Sequence, residues 1–367
     1  MTAMLDRASR TAPGEDSETP VSVLAADGTL DLESEFAAVV TPELTIGLYR
    51  DMVLARRFDQ EAYNLQRQGE LGLWLSCQGQ EAAQVGSIRA VNATDHVFPA
   101  YREHAAALCR GIRPSELLSQ WRGTSHGAWD PACYRFHIYS LVLATQLLHA
   151  TGYAVGVKVD RSDEIVLAYF GDGSASQGDA NEAFNWSAVA NVPILFFCQN
   201  NQWAISTPSS AQTRTPLHVR AKGFGLSSTV VDGNDVLAVY AATKMAAASV
   251  RAGGPPVLIE AMTYRMQGHS TSDDPRRYRD DADLETWRLR DPIDRVRILA
   301  RHQGWIDDQF ESDLDEEARQ LAAEARAACL ALQPPPLEDT FLNTLVSETA
   351  LLRVEREAFT TLEESYE

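Results

Sequence analysis

Two polar sequences, each following a short apolar run, are the part of this chain best suited to chemistry. One is Gly-Asp-Gly at 171–173, and the other is Asn-Asn at 200–201. The carboxylate of Asp172 and the amide of Asn201 offer hard oxygen ligands, which suit Mg²⁺ that carries a diphosphate group. The glycines allow a close approach of the backbone to that group, and a helix that follows them offers free N–H groups.

The residues around these two sequences predict the elements that position them. The apolar runs 165–170 and 192–198 read as buried strands, and residues 176–190 have apolar side chains at helical spacing. Strand, turn, helix and strand in this order make a parallel βαβ unit, so Asp172 and Asn201 would leave the carboxyl ends of neighbouring strands. Open α/β sheets bind ligands at that edge. A tight turn and an Asn-capped loop would explain either sequence alone, whereas the two together favour a site.

The same arrangement resembles the fingerprint of thiamine diphosphate enzymes, which is Gly-Asp-Gly, a spacer and Asn-Asn. Longer segments are similar to the alpha subunit of the decarboxylating component of 2-oxo acid dehydrogenase complexes. They are Pro-Ala-Tyr-Arg-Glu-His at 99–104, the segments 171–179 and 197–208, and Tyr-Arg-Met-Gln-Gly-His-Ser-Thr-Ser-Asp-Asp-Pro at 264–275. The resemblance keeps the same order between Leu44 and Trp305, so it covers most of the chain.

The resemblance implies thiamine diphosphate and Mg²⁺ as cofactors and assigns contacts residue by residue. Asp172, Asn201 and the carbonyl of Trp203 match the Mg²⁺ ligands. The other positions that match cofactor contacts are Tyr101, Arg102, Leu141, Leu143, Gly171, Gly173, Ser174, Gln199, Ala204, Ile205, Arg265 and His269.

Several of these positions carry a specific expectation. Arg102 suits a bidentate contact with phosphate, and Leu143 matches an apolar wedge that holds the cofactor bent. His269 matches a catalytic histidine, and a pKa near neutral would let it orient or protonate the substrate-derived intermediate or assist acyl transfer. A solvated loop histidine is the alternative interpretation. Gln199 departs from the branched-chain form of the family, which has an Arg there, so the detailed phosphate contacts are open.

A monovalent-cation site is a further expectation from the branched-chain members of the family. Ser140, Thr145 and Gln146 match a potassium site there. A polar helix start with a Ser cap would explain the same residues, and the sequence leaves both interpretations open.

The resemblance also implies partners. Thiamine enzymes need a Glu beside the aminopyrimidine ring, and in this family that Glu lies on a separate beta subunit. We find no candidate for it in this chain, so we expect an α2β2 heterotetramer that is active only as a pair. The other expected partners are the 2-oxo acid substrate, a lipoyl domain and the core acyltransferase of the complex.

The expected activity is oxidative decarboxylation of a branched-chain 2-oxo acid of the 3-methyl-2-oxobutanoate type, with reductive acylation of a lipoyl domain. The loop at 269–274 and the segment 196–201 favour the branched-chain over the pyruvate enzymes. A pyruvate dehydrogenase alpha subunit, acetoin dehydrogenase and a non-catalytic assembly subunit are the alternatives. A nucleotide-binding enzyme is disfavoured, because the first βα turn has neither Gly-x-Gly-x-x-Gly nor a phosphate-loop lysine.

Composition limits the class of protein. The 367 residues carry a net charge of −19, which argues against nucleic acid and anionic membranes as partners. We find no apolar run long enough for a membrane span and no signal-peptide pattern, and we expect a cytoplasmic protein. The scattered cysteines have no metal-binding spacing and are expected to be reduced core residues; they are Cys77, Cys109, Cys133, Cys198 and Cys329.

The fold predicted is α/β, with a doubly wound, mostly parallel sheet, helices on both faces and helical terminal extensions. Residues 1–40 are polar and predict an arm that is mobile or ordered only against a partner. Residues 41–333 predict the thiamine diphosphate-binding domain, and 334–367 a C-terminal helical extension. Within these, 141–159 predicts a buried helix and 338–357 a terminal helix. The polar loops 206–220 and 265–279 are expected at the site edge of the sheet.

Overall fold

Five parallel strands form the central sheet in this computed structural model, which describes residues 19–125, 127, 129–336, 338–342 and 344–366. A two-stranded antiparallel ribbon, β4–β5, lies outside it. The order across the sheet is β1-β2-β3-β7-β6, with every neighbouring pair parallel. The strands are β1 His96–Phe98, β2 Val166–Gly171, β3 Ile194–Asn200, β4 Trp203–Ala204, β5 Thr207–Pro208, β6 Ser227–Asp232 and β7 Val257–Met262.

Helices connect these strands and extend the chain at both ends. The α-helices are α1 Pro42–Arg67, α2 Glu81–Ala90, α3 His104–Cys109, α4 Pro114–Arg122, α5 Pro131–Tyr134, α6 Thr145–Asp160, α7 Gly178–Ala190, α8 Ser209–Gln212, α9 Leu217–Gly223, α10 Val236–Arg251, α11 Asp281–Arg288, α12 Pro292–His302, α13 Asp308–Ala331, α14 Asp339–Leu342 and α15 Ala350–Glu364. Short 3-10 helices occupy Glu35–Val39, Asp172–Ser176 and Pro275–Arg277.

The sheet is buried on both faces, because successive side chains of a strand point to opposite sides. In β2, Leu167 and Tyr169 join the core that is shared with α1, α2, α3, α10 and α12. Val166, Ala168 and Phe170 join the second core, which is shared with α6, α7 and α9. The predicted doubly wound α/β fold is therefore confirmed.

The predicted βαβ unit is confirmed and brings the two polar sequences to one edge. β2 and β3 pair in parallel, with Val166 opposite Ile194 and Gly171 opposite Gln199. The connecting helix α7 begins at Gly178, after the 3-10 turn that Asp172 opens. Asp172 and Asn201 therefore follow the ends of adjacent strands.

The first long helix begins where its capping residues predict. The hydroxyl of Thr41 accepts a hydrogen bond from the N–H of Leu44 at 3.2 Å, and Pro42 occupies the first helical position. Met52 and Phe58 on the inner face are buried. The helix thus forms from local chemistry and is held by one apolar stripe.

Part of the predicted N-terminal arm is packed against the sheet domain, which corrects that expectation for residues 21–31. Val21 forms a bridge with Val231, and the N–H groups of Val23 and Leu24 each donate to Asp235 Oδ2 at 2.6 Å. Both side chains are fully buried. This segment needs no partner for its ordering, because the domain itself satisfies its backbone and covers its apolar side chains. Residues 1–18 of the predicted arm lie outside the described residues.

Two helix predictions need correction. The helix expected over 141–159 begins only at Thr145, because Ala144 adopts a left-handed backbone with φ of +69°. Leu141 is 57% exposed and Val142 is 69% exposed, so the apolar side chains that precede the helix are not core residues. The terminal helix expected over 338–357 is two helices, α14 and α15, with 345–349 between them outside helix.

The cysteines are all free thiols, as predicted. Cys77, Cys198 and Cys329 are buried, whereas Cys133 is exposed beside Asp130, so the prediction of a core position is wrong for Cys133. Within the described ranges, no helix is both long and apolar enough to cross a membrane.

Candidate functional site

A cavity of about 550 Å³ opens at the carboxyl edge of the sheet. Segments that follow β1, β2, β3 and β7 all contribute to its wall, so four adjacent strands position it. Every predicted cofactor or Mg²⁺ contact lines this cavity, namely Tyr101, Arg102, Leu141, Leu143, Gly171, Asp172, Gly173, Ser174, Gln199, Asn201, Trp203, Ala204, Ile205, Arg265 and His269. The tertiary fold therefore brings together residues that are up to 168 positions apart in the chain.

Asp172 is a buried carboxylate that contacts no cationic side chain among the described residues. Its Oδ2 accepts hydrogen bonds from Ser209 Oγ at 2.7 Å and from Gln212 Nε2 at 3.2 Å. Burial raises the pKa of Asp172, and these two neutral donors oppose the rise. A divalent cation would favour the ionised form, so the carboxylate fits a metal-ligating role.

Gly173 is required by a close approach within the chain. A Cβ at this position would lie 2.8 Å from Ala204 Cβ, well inside van der Waals contact, whereas a Cβ at Gly171 would meet nothing closer than the Gln199 carbonyl at 4.0 Å. The turn after β2 therefore packs directly on the ribbon strand β4. The backbone of Gly171, by contrast, is left open toward the cavity that it lines.

The two asparagines after β3 have separate tasks. Asn200 points to the buried carboxylate of Glu260, to which its Nδ2 donates at 2.7 Å. Asn201 lines the cavity, and its Oδ1 accepts from the N–H of Trp203 at 3.2 Å while its Nδ2 donates to Gln80 Oε1. Its amide oxygen is thereby oriented by the chain and retains a second lone pair for a ligand.

Arg265 anchors the loop that carries the third predicted metal ligand. Its guanidinium donates to the carbonyls of Trp203 at 3.2 Å and Ile205 at 2.9 Å. Ile205 has φ of +53°, a left-handed backbone that is strained for a β-branched side chain. Burial and the neighbouring Arg102 lower the pKa of Arg265 to about 10, and it stays cationic at neutral pH.

Arg102 is held by backbone carbonyls on two sides. Its Nη1 donates to the Ser76 carbonyl at 2.6 Å and its Nη2 to the His269 carbonyl at 2.8 Å. The hydroxyl of Ser76 in turn donates to Asp59, which also accepts from the Trp74 indole. The guanidinium is thus fixed at the cavity wall, where its positive charge can bind an anion.

His269 lies between the two arginines. Its Nδ1 is 3.4 Å from both Arg102 Nη2 and Arg265 Nη1, and its N–H donates to Asp273 Oδ2 at 2.7 Å. Burial, with the two cations, lowers the pKa of His269 to about 3. The imidazole is therefore neutral, and donors around Nδ1 favour the tautomer with the proton on Nε2. These surroundings therefore do not give the near-neutral pKa that would suit proton transfer by His269.

Sequence analysis missed several residues of the cavity wall. Glu103, Gln80, Ser176, Gln177 and Gln212 line it. Glu103 directly follows Tyr101 and Arg102 in the matched motif, and Gln212 belongs to the loop 206–220 that was expected at the site edge. No sequence signal marked Gln80 and Gln177, because a glutamine at the start of a helix has no distinguishing local pattern.

Of the residues predicted for a potassium site, Thr145 and Gln146 begin α6, and Ser140 precedes the helix. Ser140 Oγ donates to the Val142 carbonyl, and Gln146 Nε2 donates to the Tyr169 carbonyl at 2.9 Å. Gln146 Oε1 is buried without a hydrogen-bond partner among the described residues. Ala144, not Ser140, is the N-cap of the helix, so the interpretation of Ser140 as a helix cap is wrong.

A metal in this cavity would need oxygen ligands in addition to the carboxylate of Asp172. Within the described part of the chain, no group of three or more His, Cys, Asp or Glu side chains could hold an ion. One carboxylate, one amide and one carbonyl in the cavity are consistent with Mg²⁺, which takes its other ligands from phosphate and water.

Comparisons with known proteins match most of the chain. The model of the family described as "Dehydrogenase E1 component" matches residues 49–336. The 3-methyl-2-oxobutanoate dehydrogenase subunit alpha of Mycobacterium tuberculosis (strain ATCC 25618 / H37Rv) is 41% identical over 339 residues, which is 92% of each chain.

Eukaryotic proteins are similar over somewhat shorter ranges. The 2-oxoisovalerate dehydrogenase subunit alpha 2, mitochondrial, of Arabidopsis thaliana is 38% identical over 87% of this chain and 70% of its own. The mitochondrial 2-oxoisovalerate dehydrogenase subunit alpha of Mus musculus is 40% identical over 80% of this chain and 69% of its own. The residues matched by the family include every segment of the cavity wall described above.

Proposed function

The chain belongs to the dehydrogenase E1 component family, and from this premise we propose that it is the alpha subunit of a branched-chain 2-oxo acid dehydrogenase. The family implies thiamine diphosphate as the cofactor and a beta subunit as a partner. The relatives carry two names of one substrate, because 2-oxoisovalerate is 3-methyl-2-oxobutanoate. The observation that carries the proposal is the single cavity that all the matched cofactor positions line.

Mg²⁺ would be held by Asp172, Asn201 and the carbonyl of Trp203. The support is the chemistry of this donor set, in which all three oxygens are hard and Asp172 is buried with only neutral hydrogen-bond donors in the described part of the chain. The Trp203 carbonyl already accepts from Arg265 and would use its second lone pair. The diphosphate oxygens would complete the coordination.

Arg102 and Arg265 would hold the diphosphate from the cavity wall. Both side chains are buried and fixed by carbonyls, so their charges act in a poorly solvated place, where electrostatic attraction is strong. An anion there also changes His269, because neutralising the two neighbouring cations raises the pKa of its imidazole.

Thiamine diphosphate supplies the nucleophilic carbon and the electron sink that decarboxylation of a 2-oxo acid needs. The chain's own part is orientation and proton handling. His269 lines the cavity, and its neutral imidazole could donate a hydrogen bond from Nε2–H to a substrate oxygen. Leu141, Leu143 and Ile205 line the same cavity with apolar surface.

A beta subunit would close the cavity in an α2β2 assembly. Leu141, Leu143 and Ile205 are exposed although they line the site, and Val142 beside them is 69% exposed. Such an apolar patch at the mouth of a cavity fits a protein partner. The pair would act on a lipoyl domain of the core acyltransferase. A potassium ion at Gln146 is supported by the buried amide oxygen of this residue, which has no hydrogen-bond partner among the described residues. A cytoplasmic location stays a prediction.

The test is co-expression with the beta subunit, followed by a substrate panel that includes 3-methyl-2-oxobutanoate and pyruvate. We expect a higher kcat/KM for 3-methyl-2-oxobutanoate, and a much higher value for pyruvate would refute the branched-chain assignment. Asp172→Ala should abolish Mg²⁺-dependent binding of thiamine diphosphate in calorimetry. His269→Ala should keep cofactor binding and lose overall turnover, and full turnover of that variant would refute the catalytic role.

A further inference from the structure

The wall of the cavity contains a carboxyl group that the proposed function does not use. Glu103 lines the cavity and is only 2% exposed. Its Oε1 accepts a hydrogen bond from Gln199 Nε2 at 2.6 Å, and its Oε2 accepts a longer one from the N–H of Arg102 at 3.3 Å. Both donors are neutral amides, so neither contact supplies a full positive charge to a buried carboxylate.

The orientation of Gln199 toward Glu103 is imposed by a third buried amide. Gln84 Nε2 donates to Gln199 Oε1 at 3.0 Å and to the Arg102 carbonyl at 2.9 Å. Gln84 Oε1 is occupied in turn by the N–H of Ala105 at 3.0 Å. Because each amide oxygen and nitrogen is committed, Gln199 presents its N–H to Glu103 and cannot flip without breaking the chain of bonds.

This chain of bonds connects three elements at the point where Arg102 enters the cavity. Gln84 belongs to α2, Gln199 lies in β3, and Glu103 precedes α3. Together they bracket the backbone of Arg102, whose N–H and carbonyl are both bonded by members of the chain. The carboxyl of Glu103 therefore helps to position the segment that presents the guanidinium.

The titratable and charged groups around Glu103 are Arg102, His104, Tyr139 and Tyr169. The Arg102 guanidinium is committed to the carbonyls of Ser76 and His269. Burial raises the pKa of both tyrosines and lowers the pKa of His104 to about 3, so these three are neutral. Burial raises the pKa of Glu103 to about 7, against the opposing hydrogen bonds and the charge of Arg102.

We propose that Glu103 is a positioning residue of the diphosphate-binding segment and takes up a proton from solvent when thiamine diphosphate and Mg²⁺ bind. An ionised Glu103 would share the cavity with the incoming diphosphate, and two negative charges in a poorly solvated place repel. The neutral acid keeps the bond from Gln199 and removes that repulsion. The proton comes from water and bonds to Oε2, which has the longer contact, and no other covalent bond changes.

The proposal rests on the proposed cofactor and is tested on the assembled α/β pair by titration calorimetry with thiamine diphosphate and Mg²⁺. Repeating each titration in two buffers of different ionisation enthalpy counts the protons exchanged. If the pKa of Glu103 rises by one unit on binding, the pair takes up about half a proton at pH 7.5 beyond the contribution of the cofactor's own phosphate. The same shift weakens cofactor affinity by about fivefold between pH 6.5 and 8.5.

Two variants isolate the contribution of Glu103. Glu103→Gln keeps the shape and a hydrogen bond but cannot titrate, so we expect it to lose that half proton and that fivefold pH dependence. Gln199→Arg places a cation against Glu103, keeps it ionised in both states and should lose the uptake as well, even if Glu103→Gln fails to fold.

Equal proton uptake by the wild-type pair and Glu103→Gln at every pH would overturn the proposal. So would wild-type uptake in Gln199→Arg. Absence of any Mg²⁺-dependent cofactor binding by the wild-type pair would refute the proposed function itself, and this outcome is distinct from equal uptake by pairs that do bind.

Discussion

Gly173→Ala is the perturbation whose consequence the structure specifies best. The added Cβ would lie 2.8 Å from Ala204 Cβ and 3.5 Å from Ala204 Cα. Carbon atoms in contact prefer about 3.5–4.0 Å, so the turn after β2 and the ribbon strand β4 must separate by close to an ångström. Asp172 is carried by the turn and Trp203 by β4, so the separation moves two proposed Mg²⁺ ligands apart.

The magnitude follows from the cost of inserting a methyl group into a packed contact. Overpacking of this kind costs about 1–3 kcal/mol. If this cost falls on the folded pair without cofactor, it lowers the Tm of a chain of this size by about 1–4 °C. If the cost falls on the cofactor-bound state instead, it weakens binding of thiamine diphosphate by about 5- to 150-fold. The loss in unfolding free energy and the loss in binding free energy should together equal the cost of overpacking.

The assay is thermal unfolding of the α/β pair without cofactor, with calorimetric titration of thiamine diphosphate in the presence of Mg²⁺. Gly171→Ala is the matched control for unfolding, because its Cβ would have no neighbour closer than 4.0 Å. Ala204→Gly in the Gly173→Ala background removes the Cβ that collides and should restore most of the loss. The reasoning fails if Gly173→Ala matches the wild type in both measurements, or if Ala204→Gly restores neither.

Three further predictions concern single side chains. The pKa of Glu103 is raised to about 7 from 4.5. Its contribution to stability is therefore complete below pH 4.5, and about 3 kcal/mol of unfolding free energy is lost as pH rises to 7. Denaturant titrations of Glu103→Gln should not show that loss. Asp235→Ala should lower the free energy of unfolding by about 3 kcal/mol, since four buried N–H groups, including those of Val23 and Leu24, lose their acceptor; unchanged protection of residues 21–31 in hydrogen exchange would contradict this. Ile205→Gly should relieve about 1 kcal/mol of left-handed strain and so leave Tm unchanged or higher, and a clear fall in Tm would argue against strain there.

The sheet and its βαβ unit could be predicted because strand signals are local. The apolar runs 165–170 and 192–198 and the helical spacing over 176–190 are carried by consecutive residues, and β2, β3 and α7 form there. The helix expected over 141–159 was misplaced for the opposite reason. Its apolar residues suggested a core, but Leu141 and Val142 belong to an exposed segment at the mouth of the cavity. Periodicity alone does not distinguish an apolar surface for a partner from an apolar surface for a core.

Most residues of the cavity were identified from motifs, but the burial and the charges around them could not be predicted from the sequence. The matched positions could be named in advance because segments such as those around Gly-Asp-Gly and Asn-Asn resemble segments of a known family in residue type and order. The low pKa of His269 could not, since it depends on burial and on two arginines from separate loops. The environment of Glu103 could not be predicted either. Only its hydrogen bond with Gln199, which Gln84 orients, shows that it is a buried acid with neutral donors.

The sequence by itself determined the α/β class, the order of the elements and the set of side chains that could hold a metal and a diphosphate. The class and the order of the elements follow from local spacing, whereas most of the site residues were assigned because their motifs resemble those of a known family. Tertiary structure alone decided where α6 begins, and that Asp172 and Glu103 are buried with neutral hydrogen-bond donors. Burial and charge proximity depend on residues distant in the chain, so only the folded arrangement defines the electrostatics of the site.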